Sequence, residues 1–144
     1  MEYKGNPVSE DLRLRNYKSS DYTEYKQIYE DSFYKMRSTL GLPRECCKCS
    51  DELLKNRNNI FILERNGCII GSVSVYGCEI DDLFAAEAYR GQGFGTRLLR
   101  YAVSYLQKQN ADRIFLHVAD INKAAVSLYM NNGFIITEAE EINL

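Results

Sequence analysis

The sequence has almost no net charge to offer a partner: 18 Lys and Arg stand against 20 Asp and Glu, a formal charge of −2. Its basic residues are scattered, so the strongly basic face of a nucleic-acid binder is missing. No run approaches the roughly 18 apolar residues that would span a bilayer, which excludes a membrane-spanning reading. Met1 to Arg15 is polar and mixed in charge, without the apolar stretch of a secretory leader, and a cytoplasmic location is expected. Histidine is nearly absent, His117 being the only one. Cysteine is not scarce, but Cys46-Cys47-Lys48-Cys49 holds a C-x-x-C spacing with no second pair to complete a structural zinc site. The expectation is no metal and reduced thiols. Repeats, low-complexity stretches and linkers are also missing, so residues 1–144 are expected to form one domain.

What is present alternates between two periods. Leu12-Arg13-Leu14-Arg15 alternates apolar and charged, as an edge strand does. Asp21 stands where a cap would start a helix whose one face carries Tyr25, Ile28, Tyr29, Phe33 and Met36. Gly41-Leu42-Pro43 ends it, and a cysteine-bearing loop leads to a short helix near Ser50 to Lys55. Ile60 to Glu64 and Cys68 to Tyr76 read as strands joined through Asn66-Gly67, a hairpin signal. A further strand is expected from Glu79 through Leu83 toward Ala88, against the helical propensity of Ala85-Ala86-Glu87-Ala88. Phe94 to Gln109 predicts an amphipathic helix, Arg113 to Val118 a buried strand, and Asn122 to Asn131 a helix stopped at Asn132-Gly133. Phe134 to Thr137 opens a last strand. Strands that first pair as neighbours and then alternate with helices make a single α+β domain.

Arg90-Gly91-Gln92-Gly93-Phe94-Gly95 lies between a strand and a helix start. Glycine lets backbone approach a ligand closely, and the first helical N–H groups lack partners and sit at the positive end of the dipole. Such a junction holds a phosphate or pyrophosphate, with Arg90 as a further cation; the plain alternative is a turn that only starts its helix tightly. The Walker pattern is excluded because Thr96-Arg97 follows Gly95, and the dinucleotide fingerprint fails because the third glycine comes one position early.

Tyr89 to Thr96 resembles the acyl-CoA loop of the GNAT family of N-acetyltransferases, Q/R-x-x-G-x-G/A. Asn122-Lys123-Ala124-Ala125-Val126-Ser127-Leu128-Tyr129-Met130-Asn131-Asn132-Gly133-Phe134 resembles that family's second signature, N-x-x-A-x-x-x-Y-x-x-x-G-F. The resemblance covers about Leu12 to Phe134. It implies a mixed, mostly antiparallel central sheet flanked by helices, with acetyl-CoA as co-substrate and a small-molecule or peptide amine as acceptor. It also implies cofactor contacts at Leu83, Phe84 and Ala85, at Arg90, Gly91, Gln92, Gly93, Phe94, Gly95 and Thr96, and at Asn122, Ala125 and Tyr129. Three positions depart from the family pattern. Glu87 stands where proline is usual and Ala85 where a β-branched residue is usual. Few residues follow Gly133-Phe134, where two strands are usual. The last strand is then missing or supplied by a partner, and homodimerisation through the C-terminal sheet edge is expected.

Acetyl transfer to an amine needs the amine deprotonated, the oxyanion stabilised and the thiolate released. Tyr129 is the expected acid for the departing sulfur, because an ordinary phenol stays protonated at neutral pH; core packing is its plain alternative. Asn122 serves equally as a helix cap. For the base, His117 is one reading, and Glu79, Asp81 and Asp82 or a water path are others. A backbone N–H near Ala85 suits the oxyanion. Glu24 and Tyr25 are expected to line the acceptor pocket. Two further classes stay open: a non-catalytic acyl-CoA-binding regulatory module, and an interaction domain that keeps only the fold.

Overall fold

The computed structural model describes residues 1–137. Strands β1 (Glu2–Tyr3) and β2 (Arg15–Asn16) precede helices α1 (Tyr22–Thr39) and α2 (Ser50–Lys55). Strands β3 (Ile60–Arg65), β4 (Cys68–Tyr76) and β5 (Glu79–Ala85) follow, then α3 (Phe94–Lys108), β6 (Phe115–Leu116), α4 (Lys123–Met130) and β7 (Phe134–Ile135). One sheet runs in the order β2-β3-β4-β5-β6-β1-β7. Among the described residues only β5 and β6 pair in parallel and the other strand contacts are antiparallel, giving a mixed α+β fold with four helices.

Alternation along the central strands sorts the core onto two faces. Phe61, Leu63 and Ile70 turn to one face, where Phe94, Leu98, Leu99, Ala102, Val103 and Leu106 of α3 cover them. Ile60, Ile62 and Ile69 turn to the other, under Tyr25 of α1 and Leu53 of α2. The apolar stripe expected of the long helix is thus its buried face. Leu98 is completely enclosed, and truncating such a residue to alanine costs about 2–5 kcal/mol. No helix among the described residues is long and apolar enough to cross a membrane.

The hairpin expected at Asn66-Gly67 forms: both residues have positive φ, 53° and 77°, and Arg65 pairs with Cys68 across them. The strand expected toward Ala88 stops at Ala85, and Glu87–Tyr89 make a single 3-10 turn. The edge strand expected at Leu12 to Arg15 begins at Arg15, while Leu12 is buried in the α3-side core. Asp21 does not cap α1 with its side chain. Its carboxylate instead accepts from the Lys18 amide at 2.8 Å and takes two bonds of 2.8 Å from Arg15.

The polar leader also holds a strand that alternation does not reveal. Glu2 pairs with Phe115 and with Ile135, so β1 lies between β6 and β7 and ties the two ends of the described chain together. Tyr3 packs edge-on to Phe134 at 5.3 Å. A two-residue strand carries no period, so pairing alone defines it. Whatever strand follows Thr137 lies outside the described residues.

Candidate active site

The sheet opens where its one parallel pair ends. Glu79 and Ile80 of β5 pair with Phe115 and Leu116 of β6, and from Asp81 onward β5 has no partner on that side. On its other side β5 stays in register with β4, except that Ser72 opposes Phe84 while Ser74 opposes Asp81. One extra residue is therefore accommodated at Asp82–Leu83, a bulge that bends the strand away from β6. Asp82 has φ 48°, a left-handed conformation that aspartate tolerates better than most residues. Leu83 and Phe84 thus have no strand paired with them on the β6 side, while the Ala85 carbonyl is taken up by Arg90. The Phe84 ring points into the aromatic cluster of Tyr25, Tyr29 and Phe33.

The glycine turn follows β5 through the 3-10 turn at Glu87–Tyr89 and leads into α3. Gly91 and Gly93 have φ 78° and 84°, and a Cβ at either would meet nothing within 4 Å, so conformation rather than crowding selects glycine there. Gly93 is the N-cap of α3, and its carbonyl accepts from Arg97 N at 3.1 Å. Gln92 is exposed and donates to the Ala88 carbonyl at 3.3 Å, Gly95 and Thr96 are half-buried, and the Phe94 ring is anchored in the core. Arg90 does not stand free at the entrance. It donates through Nε to the Ala85 carbonyl at 3.2 Å and through Nη2 to Ser32 Oγ at 3.0 Å, bridging the turn to α1.

Along the same opening lies a cavity of about 220 Å³. Asn122 and Tyr129 line it from α4, Asp81, Asp82 and Leu83 from β5, and Tyr29, Phe33, Met36 and Arg37 from α1, with Cys46 and His117 completing the rim. Asp82 is held by Tyr29, whose hydroxyl donates to Oδ1 at 2.9 Å. Burial, and then the neighbouring Asp81 charge, push the Asp82 carboxyl up to about 6. Burial likewise raises the Tyr129 phenol to about 12, so it keeps its proton at any physiological pH. The Tyr129 hydroxyl has no hydrogen-bond partner among the described residues. His117 is mostly exposed and pairs through Nδ1 with Glu79 Oε2 at 2.6 Å. Asn122 caps α4, accepting from Ala125 N at 3.3 Å, and faces the cavity as well; Ala125 contributes through that backbone bond.

The structure therefore gathers Tyr129, His117, Asn122, Leu83, Asp81 and Asp82 around one space, while Arg90 to Thr96, Phe84, Ala85 and Ala125 lie outside its lining. Glu24 and Tyr25 are not part of it. Glu24 faces solvent and Tyr25 is wholly buried beneath the sheet; the lining is contributed one to three turns later, by Tyr29, Phe33, Met36 and Arg37. The helical face was readable, but the depth at which it meets β5 depends on the Tyr29–Asp82 contact, which no sequence period encodes. Cys46 reaches the rim because Glu30 accepts from the amides of Cys46 and Cys47 at 3.1 and 3.3 Å. No group of three His, Cys, Asp or Glu side chains is placed to hold a metal among the described residues.

The profile of the acetyltransferase (GNAT) family matches residues 22–134, and the chain belongs to that family. Its relatives include YobR of Bacillus subtilis, an uncharacterized N-acetyltransferase, 41% identical over 68 residues that cover 45% of this chain and 27% of YobR. YhfO of the same organism, also an uncharacterized N-acetyltransferase, is 28% identical over 85% of this chain and 89% of its own. The first curated relatives are longer: the matches span 27%, 29% and 59% of their lengths. Among solved structures, yncA of Salmonella typhimurium, determined with its cofactor acetyl-CoA, superposes with a TM-score of 0.67 at 17% identity. That superposition covers 90% of this chain and 82% of yncA, and it shows the shared fold.

Proposed function

We propose that the chain transfers an acetyl group from acetyl-CoA to a primary amine by direct attack. The observation that carries this reading is the single opening between β5 and β6. Beside it lies a cavity lined by both Asp82 and Tyr129. A pyrophosphate at the glycine turn and a pantetheine arm along Leu83 to Ala85 bring a thioester to that cavity. The acetyl-CoA bound to yncA supports the same donor.

In the reaction the amine nitrogen attacks the thioester carbon, a C–N bond forms and the C–S bond breaks. A lysine-like ammonium with pKa about 10.4 must first lose a proton. Asp82, near 6, is ionised at neutral pH and accepts it. His117 at the rim, oriented by Glu79, is the second acceptor and passes the proton to solvent. A backbone N–H on the unpaired side of β5 steadies the oxyanion. Tyr129 donates to the sulfur as negative charge develops there. With its phenol near 12 and an ordinary thiol near 8.5, it stabilises the thiolate chiefly as a hydrogen-bond donor. The five free cysteines and the donor's chemistry support a cytoplasmic site of action.

Thiol release from acetyl-CoA with a panel of primary amines tests the reading. Amine-dependent release supports it. Tight acetyl-CoA binding without release for any amine overturns it in favour of a non-catalytic binding module.

A further inference from the structure

The acceptor cavity carries opposite charges. Asp81 and Asp82 line it from the strand, and Arg37 is its one Lys or Arg among the described residues. Arg37 is fixed rather than trailing into solvent. Its Nε donates to the Pro43 carbonyl at 2.8 Å, and its own carbonyl accepts from Leu42 N at 2.8 Å. The loop that provides these contacts is fastened in turn by Glu30 to the amides of Cys46 and Cys47, and by Arg44 to Asp31. Arg37 makes no ion pair among the described residues, and its two terminal amino groups have no partner among them. A guanidinium steadied through Nε and open at both Nη atoms is a fork matched to a planar carboxylate. One arginine without a second cation suits that singly charged group better than a phosphate dianion.

The same lining is partly apolar and aromatic, through Phe33, Met36 and Tyr29. The cavity, about 220 Å³, is smaller than the roughly 300–1,000 Å³ of ordinary ligand pockets. We propose that the acceptor is a small amine that also carries a carboxylate, an amino acid with an apolar or aromatic side chain. Its amine faces Asp82 and its carboxylate the Arg37 fork. This inference rests on the acetyltransferase reading above, and it makes Arg37 a specificity-determining residue.

Matched acceptors test it. Phenylalanine, leucine and methionine are compared with their amides, which differ only in lacking the carboxylate charge, by kcat/KM with acetyl-CoA. The amide amines lose their proton more readily, so the comparison is biased against the proposal. Wild-type protein is expected to favour the amino acids by tenfold or more, and Arg37→Gln to bring the ratio toward one. Arg37→Lys should keep part of the preference, which separates lost charge from lost fold. Equal turnover or preference for the amides in wild-type protein overturns the inference and leaves the acetyltransferase reading standing. A ratio unchanged in Arg37→Gln also overturns it. No turnover of any amine overturns both.

Discussion

The Tyr29 hydroxyl donates a 2.9 Å hydrogen bond to Oδ1 of Asp82, joining the first long helix to the one strand residue held at φ 48° inside the bulge. That contact fixes a carboxylate in the lining of the cavity, beside the aromatic residues of α1. It also holds in place a carboxyl raised to about 6 by burial and by Asp81, the group proposed above as the base.

Asp82→Asn preserves shape and should lower kcat/KM by about 10²–10⁴-fold, the usual value of general base catalysis. Wild-type activity should rise with pH through about 6, and that limb should vanish in the variant. Stability has the opposite sign. A carboxyl whose folded pKa lies above its unfolded value near 3.9 favours its neutral form in the fold, so stability falls as pH climbs from about 4 to 6. Asp82→Asn should therefore melt higher than wild type at pH 7.5 and close to it at pH 4, as differential scanning calorimetry can check.

Tyr129→Phe should reduce kcat by about ten- to a hundredfold while acetyl-CoA affinity changes by less than threefold, in line with loss of one charge-assisted hydrogen bond. Equal losses in both, by stopped-flow and calorimetric titration, would assign the phenol to binding.

The glycines divide into two kinds. At Gly93 an alanine must take φ 84°, which costs about 1–2 kcal/mol, and the strain falls on the cofactor turn. Gly93→Ala should thus weaken acetyl-CoA binding about ten- to thirtyfold with a modest loss of stability. At Gly71 the obstacle is space: a Cβ would meet the Phe84 carbonyl oxygen at 2.8 Å and Leu98 Cδ1 at 2.9 Å. Gly71→Ala should chiefly lower the melting temperature, because β4 and β5 must separate.

Much of this was legible in the sequence. The buried stripe of α3, the Asn66-Gly67 hairpin and the glycine turn each follow from a local rule that reports its own geometry. Asn122 and Tyr129 were placed by a signature whose spacing spans one helix. The rest depends on partners far apart in the chain. Asp82 is one of three acids, with Glu79 and Asp81, that the sequence offers as a base, and only the extra residue opposite Val73 separates it from the others. Glu2 and Tyr3 make a strand solely because β6 and β7 leave a gap of one strand's width between them. Arg37 had no signal of its own, since its role depends on the loop that Glu30 fastens.

Glu30 gives that loop a pH dependence. Burial opposes its charge, but Lys26 and the amides of Cys47 and Cys46 outweigh burial and hold its carboxyl below the ordinary value. Its contribution is present above about pH 4.3 and is lost as pH falls further. Glu30→Gln should raise the acceptor KM several-fold with kcat nearly unchanged, and cost about 1–3 kcal/mol of stability in chemical denaturation.

The central claim is that this cavity joins an acetyl group to an amine. A single-turnover experiment with enzyme in excess over acetyl-CoA, measuring free thiol and N-acetylated product together, tests it most directly. Equal amounts of both are expected, formed only when an amine acceptor is present. Thiol release without N-acetylated product, or bound acetyl-CoA left intact beside every amine, would contradict it.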